Sequence, residues 1–249
     1  MEKRTDKNSY TIVFAIIMVI VVGAILAFLA SSLKPNIDEN KRLEKQQNIL
    51  YAMGVNDNDE KSVAMVSTDR VAAEFEKYIT KQIVIEGENI TEDEAAYMID
   101  LKKETAKAKD ASYTRKLPLF IGEKDGKTYY IIPMRGKGLW DAVWGYIALD
   151  ENLVSQGVFF DHKGETPGLG ANINQRFFMD DFTGEHILDE SGNFAGIAIS
   201  KSNADPKNER KTDNTVDAIA GATITGDGLA AMIRKDLRMY MPYLQTIKK

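Results

Sequence analysis

Residues Thr11 to Leu33 form an uncharged, almost wholly apolar run, of a length that crosses a bilayer as one helix. Any fold for this chain has to give that run an apolar environment. It outlasts a typical signal-peptide core, yet Ala30, Ser31 and Ser32 offer the small residues of a cleavage site, so a removable signal peptide is the competing reading. Pro35 is expected to end the helix. Basic residues do not orient the segment, because Lys3, Arg4 and Lys7 on one side face Lys34, Lys41, Arg42 and Lys45 on the other.

The remainder reads first as helix and then as sheet. Asn36 to Asn40 is a polar link, and Lys41 to Met53 carries a partly helical pattern closed by Gly54. Asn56 to Lys61 is polar and reads as a loop. Ser67 or Thr68 is expected to cap a helix whose Val71, Phe75, Tyr78 and Ile79 share a face. Thr91 and Glu94 form a capping box before Ala95 to Ala108. From Leu117 the apolar period becomes two. Strands are expected over Leu117 to Ile121, Thr128 to Pro133, Trp144 to Leu149, Val154 to Phe160 and Phe194 to Ser200, with a Gly126-containing turn after the first. A short helix is expected over Asn174 to Asp181. Helices and hairpins in blocks predict an α+β fold: one transmembrane helix, then a mainly antiparallel sheet flanked by helices.

Composition narrows the chemistry. The 249 residues include no cysteine and only two histidines, His162 and His186, which excludes disulfides and thiolate-held clusters and argues against a histidine-based metal site. A net charge of -5 argues against a nucleic-acid partner. Redox chemistry would therefore require a bound organic cofactor. Gly122 to Thr128 looks like a phosphate-binding P-loop but is one residue short and precedes a strand.

Asp217-Ala218-Ile219-Ala220-Gly221-Ala222-Thr223-Ile224-Thr225 runs straight into an apolar-periodic helix from Leu229 to Tyr240. Small residues opening into a helix gather unpaired N–H groups and the positive end of the dipole at one point, which suits a phosphate. Spacing alone favours the simpler reading that Thr225 caps the helix. Two glycine-containing loops precede it. Gly136 to Trp140 could bring Trp140 against a planar ring, although residue type alone favours Trp140 and Trp144 as core aromatics. His162 to Gly170 offers Thr166 and backbone N–H groups beside Leu169, or is an ordinary long turn. His162 itself reads as a solvated loop residue.

The segment D-x-x-A-G-A-T-x-T resembles the flavinylation motif of covalent FMN-binding domains, although that family more often has Ser at the positions of Ala220 and Gly226. Gly138-Leu139-Trp140, Glu165-Thr166-Pro167-Gly168-Leu169-Gly170 and the Thr225 motif occur in the order seen in the C subunits of sodium-translocating NADH:quinone reductases, which the chain resembles through about Tyr243. The G subunits of the Rnf complexes are a sister family and the alternative. The resemblance implies FMN esterified through its phosphate to Thr225, with Gly221, Ala222, Thr223, Ile224, Leu139, Trp140, Glu165, Thr166, Leu169 and Gly170 around it. It implies that Asp217 serves recognition by a flavin transferase or orders the loop. The chain would then be an electron relay without a substrate site or catalytic residue of its own, one of six subunits of a sodium-moving reductase. The implied setting is the bacterial inner membrane, with residues 1–10 cytoplasmic, 11–33 spanning, 34–115 a linker and helical part, and 116–249 the FMN-binding domain facing the periplasm. A flavin-free, membrane-anchored extracytoplasmic binding module is the reading from another class.

Overall fold

A computed structural model describes residues 8–59 and 62–248. The expectations for residues 1–7, for the end of the 56–61 loop and for Lys249 lie outside the described residues. Chain contacts divide at Arg42 and Leu43 into two units.

Helix α1 (Asn8–Ala52), whose residues through Arg42 belong to the first unit, carries the apolar run and is the helix long and apolar enough to cross a membrane among the described residues. The apolar side chains of that run, Ile12 through Leu33, are exposed, so this stretch of the helix is not core. Pro35 lies inside the helix, contrary to the expected stop, and residues 36–40 are helical too. A proline forfeits one backbone bond of the ladder. The turns around it are retained, with Lys34 paired to Asp38 at 2.7 Å across one turn.

The second unit is built on a six-stranded antiparallel sheet of order β2-β1-β3-β4-β5-β6. Its strands are β1 (Ile79–Glu86), β2 (Asn89–Glu92), β3 (Leu117–Lys124), β4 (Lys127–Lys137), β5 (Ala142–Leu149) and β6 (Ser155–His162). The β3–β4 turn puts both Asp125 and Gly126 at positive φ, as a two-residue hairpin requires. The last part of α1, Ile49 to Ala52 with Met53, packs on one face, where Met53 meets Gly122 and the Ala52 carbonyl meets Gly157. Helix α5 (Thr223–Ile247) covers the other, with Met232 against Gly136. Pairing of Gly122 with Tyr129 puts the two contacts on opposite sides of β4. Both faces of β4 are thereby covered, and Tyr129 to Met134 is a continuous buried run.

Several local expectations are corrected. The first hairpin, β1–β2, lies in the stretch read as helical. Thr91 is paired with Val84 and begins no helix. Ile99 is extended, so residues 95–108 split into a single 3-10 turn at Ala96–Met98 and helix α3 (Leu101–Lys107), whose cap is Asp100, accepting from the N–H groups of Lys102 and Lys103. Helix α2 (Val71–Tyr78) has Arg70 at its cap and no side-chain cap bond; Ser67 contributes its carbonyl to a turn instead. Ile79 starts β1. Helix α4 (Arg176–Met179) sits between 3-10 turns as one broken helical segment. Of Phe194 to Ser200, β7 (Ala198–Ile199) alone is strand, pairing parallel with β8 (Thr215–Val216). Gly196, at φ +75, interrupts the extended run.

Candidate functional site

The site forms where the β4–β5 connection, the segment after β6 and the start of α5 converge. Gly221 takes φ +71, and a Cβ there would stand 2.7 Å from Leu169 Cδ2, so this position needs glycine to turn the chain into α5 against the second loop. The helix begins at Thr223 after Ala222, with no side-chain cap. Thr225 therefore does not cap α5. It is the third residue of the helix, in the first turn and 1% exposed, and its hydroxyl donates to Glu165 Oε2 at 2.6 Å.

Glu165 joins the three segments. Its other oxygen accepts the N–H of Trp140 at 2.9 Å and that of Asp141 at 3.4 Å. Burial pushes the carboxyl pKa up, but the hydrogen bonds from Thr225 and from the 139–141 backbone outweigh it and hold the group below its usual range. His162 accepts the Glu165 N–H through Nδ1 at 3.2 Å, so it shapes the loop rather than facing solvent freely. Gly170 completes the closure. A Cβ there would lie 2.5 Å from Thr225 Oγ1 and 2.7 Å from Glu165 Oε2.

Around this buried contact, Leu139, Trp140, Leu169 and Ile224 leave large apolar side chains exposed. Trp140 is 67% exposed, and its indole N–H donates to Thr166 Oγ1 at 3.2 Å. The expectation of two core tryptophans fails, since Trp144 is half-buried beneath the Arg135 guanidinium. Thr223 is exposed and Ala222 buried. Asp217 stands apart from the Glu165 contact and accepts the Asp205 N–H, at 3.1 Å to Oδ2, which orders the loop before β8.

The Glu165–Thr225 bond spans sixty residues of sequence, and no local pattern announces it. Gly228 was likewise missed: a Cβ there would stand 2.2 Å from the Lys137 carbonyl. Two glycines in the first turns of a helix were the available signal.

The sequence profile of the FMN-binding domain family matches residues 138–238, the span from Gly138 of the first loop through the second loop and the α5 start. The C subunit of the Na(+)-translocating NADH-quinone reductase of Pseudomonas aeruginosa is 30% identical over 244 residues, covering 90% of this chain and 89% of that one. The chain belongs to this C-subunit family. The corresponding C subunit of Neisseria meningitidis serogroup B is 28% identical across 100% of this chain and 98% of its own. The crystal structure of the C subunit from Parabacteroides distasonis superposes with a TM-score of 0.71 at 30% identity, over 85% of this chain and 96% of that one.

The residues fit a phosphorylated flavin. Backbone N–H groups of Thr223, Ile224 and Thr225 lack carbonyl partners within α5, and its first turn carries no acidic side chain. The exposed apolar ring is the kind of surface that a planar aromatic group covers. The buried Thr225 hydroxyl is the exception, being enclosed by Glu165 and Gly170.

Proposed function

We propose that Thr225 carries FMN as a phosphoester and that this chain is an electron-relay subunit of a sodium-translocating NADH-quinone reductase. Membership of the C-subunit family and the FMN-binding match support the flavin and the complex. The observation that carries the attachment site is the Thr225 hydroxyl, one of two in the opening turn of a long helix, among exposed Leu139, Trp140, Leu169 and Ile224. Flavin supplies reversible acceptance and release of electrons, which no side chain of this cysteine-free chain provides.

The chain's own groups do the holding. The α5 N–H groups stabilise phosphate charge, Thr166 and Glu165 fix the Trp140 loop, and the apolar ring covers part of the ring system. Covalent attachment keeps the cofactor local even on a shallow, open face. Gly221, Thr223 and Ile224 lie on that face, Ala222 is buried behind them, and Gly170 closes on the Thr225 hydroxyl. Asp217 orders the segment that a flavin transferase would read, and five further subunits complete the reductase. Helix α1 anchors the chain in the bacterial inner membrane, with the sheet domain on the periplasmic side. The relatives from Pseudomonas and Neisseria carry the name of the sodium-translocating reductase, which favours this reading over the Rnf alternative.

Intact-mass measurement after production with a flavin transferase tests the assignment. Wild type is expected to gain one FMN, Thr223→Ala to gain it as well, and Thr225→Ala to gain none. A Thr225→Ala chain that is still loaded, paired with an unloaded Thr223→Ala chain, transfers the assignment to the exposed hydroxyl. A chain with no flavin absorbance under any loading condition returns the reading to a flavin-free binding module.

A further inference from the structure

The acceptor hydroxyl proposed above is enclosed. Thr225 is 1% exposed, its Oγ1–H points at Glu165 Oε2 at 2.6 Å, and Gly170 closes on both oxygens so tightly that even a methyl group would not fit. Attachment forms a bond from Thr225 Oγ1 to phosphorus. For a flavin dinucleotide donor the pyrophosphate P–O bond breaks, the nucleoside monophosphate leaves, and the hydroxyl proton passes to buffer. Nothing as large as a phosphoryl centre reaches Oγ1 while the carboxylate stands there.

We propose that the Glu165–Thr225 contact is a latch over the modification site, that the folded chain accepts flavin only from a conformer in which this contact is open, and that the ester then keeps it open. The inference rests on Thr225 being the acceptor. Esterification removes the donor that Oε2 uses and puts phosphate charge beside a carboxylate, and both changes disfavour the closed arrangement. The other carboxylate oxygen holds the N–H groups of Trp140 and Asp141. Loading is therefore transmitted to the turn that carries Leu139 and Trp140, so the apolar face is set differently before and after modification. Glu165 is here a positioning residue: it decides when the hydroxyl is available.

The test uses the full chain, a flavin transferase at low concentration and flavin adenine dinucleotide as donor, with mass gain followed in time. In that regime the rate scales with the open fraction. Glu165→Gln and Glu165→Ala are expected to load roughly tenfold faster or more, because a charge-assisted bond no longer holds the latch. Urea well below the unfolding midpoint should accelerate wild type more than either variant. Melting curves establish that the variants remain folded. Loading as slow as wild type, or slower, in both variants overturns the latch.

A second measurement does not depend on a substitution. Amide exchange at Trp140 is expected to be faster in the loaded wild-type chain than in the unloaded one, and equal rates overturn the claim that the ester holds the contact open. Thr225→Ala separates the two levels of argument. If that chain still gains FMN, the acceptor assignment fails. If it gains none and the Glu165 variants load no faster, the latch alone fails.

Discussion

A second buried carboxylate shows how a single residue can set the pH response of the fold. Glu185 is fully buried, and Asn208 Nδ2 donates to its Oε1 at 3.0 Å while Oε2 has no partner among the described residues. Lys211 Nζ lies 3.8 Å away and is held by the Asp181 carbonyl at 2.9 Å, while Asp213 adds like charge. Burial dominates and pushes the Glu185 pKa from 4.5 to about 7. Between those values the folded chain keeps a proton that the unfolded chain releases. The associated stability is complete below the unfolded pKa and is lost as pH rises through about 7. Glu185→Gln is therefore expected to raise the thermal midpoint at about pH 8, by an amount corresponding to up to ~3 kcal/mol, and to flatten its fall between about pH 5 and 8. A wild-type midpoint that climbs with pH over that interval contradicts this. Such a residue is invisible to sequence reading, because Glu185 in Thr183-Gly184-Glu185-His186 looks like any polar turn residue. The same holds for Glu165, whose place among the flavin-site residues came from a resemblance while its bond to Thr225 comes from the fold.

At the scale of elements, legibility followed whether an element's signal was local. The period in Leu229 to Tyr240 announces α5, and Asp125-Gly126 announces the β3–β4 hairpin. The β1–β2 hairpin was lost because Val71, Phe75, Tyr78 and Ile79 continue a helical spacing across the junction where Ile79 has already entered the sheet. Gly87, at φ +64 between Glu86 and Asn89, was the overlooked turn residue. The glycines of α5 likewise make sense only beside their neighbours, β7 for Gly226 and the end of β4 for Gly228. A Cβ on Gly228 would collide with the Lys137 backbone, whereas one on Gly226 would meet the Ile199 Cγ2 at 3.2 Å, a side chain that can yield. Gly228→Ala is expected to cost about 1–3 kcal/mol by prying α5 from the end of β4, despite the gain in helix propensity. Gly226→Ala should fall within about 1 kcal/mol of wild type, because the propensity gain offsets the small adjustment. Urea midpoints of the pair check this, and equal losses would contradict backbone collision as the cause.

For the whole molecule, the consequential difference from the sequence reading is that α1 runs through Pro35 to Ala52. The apolar run was legible because lipid imposes a length and composition on any spanning helix. The continuation past Pro35 was not, since a proline and a polar stretch look like a break before the helical pattern of Lys41 to Met53, and the sheet face that Ile49 to Met53 covers is distant in sequence. Ile49, Leu50, Tyr51, Ala52 and Met53 are each at most 4% exposed, and Tyr51 meets Phe159 edge-on with ring centroids 5.8 Å apart. One helix thus supplies an exposed apolar surface at its start and a core layer at its end. Cutting it at two places separates those contributions. A chain beginning at Leu43 keeps the core layer and is expected to unfold cooperatively while no longer co-sedimenting with phospholipid vesicles. A chain beginning at Gly54 loses several buried side chains, each worth about 1.5–3 kcal/mol, against a typical total stability of about 5–15 kcal/mol. It is expected to lack a cooperative melt. A folded Gly54 chain would mean that the sheet does not need α1, and vesicle binding by the Leu43 chain would relocate the membrane contact to the sheet domain.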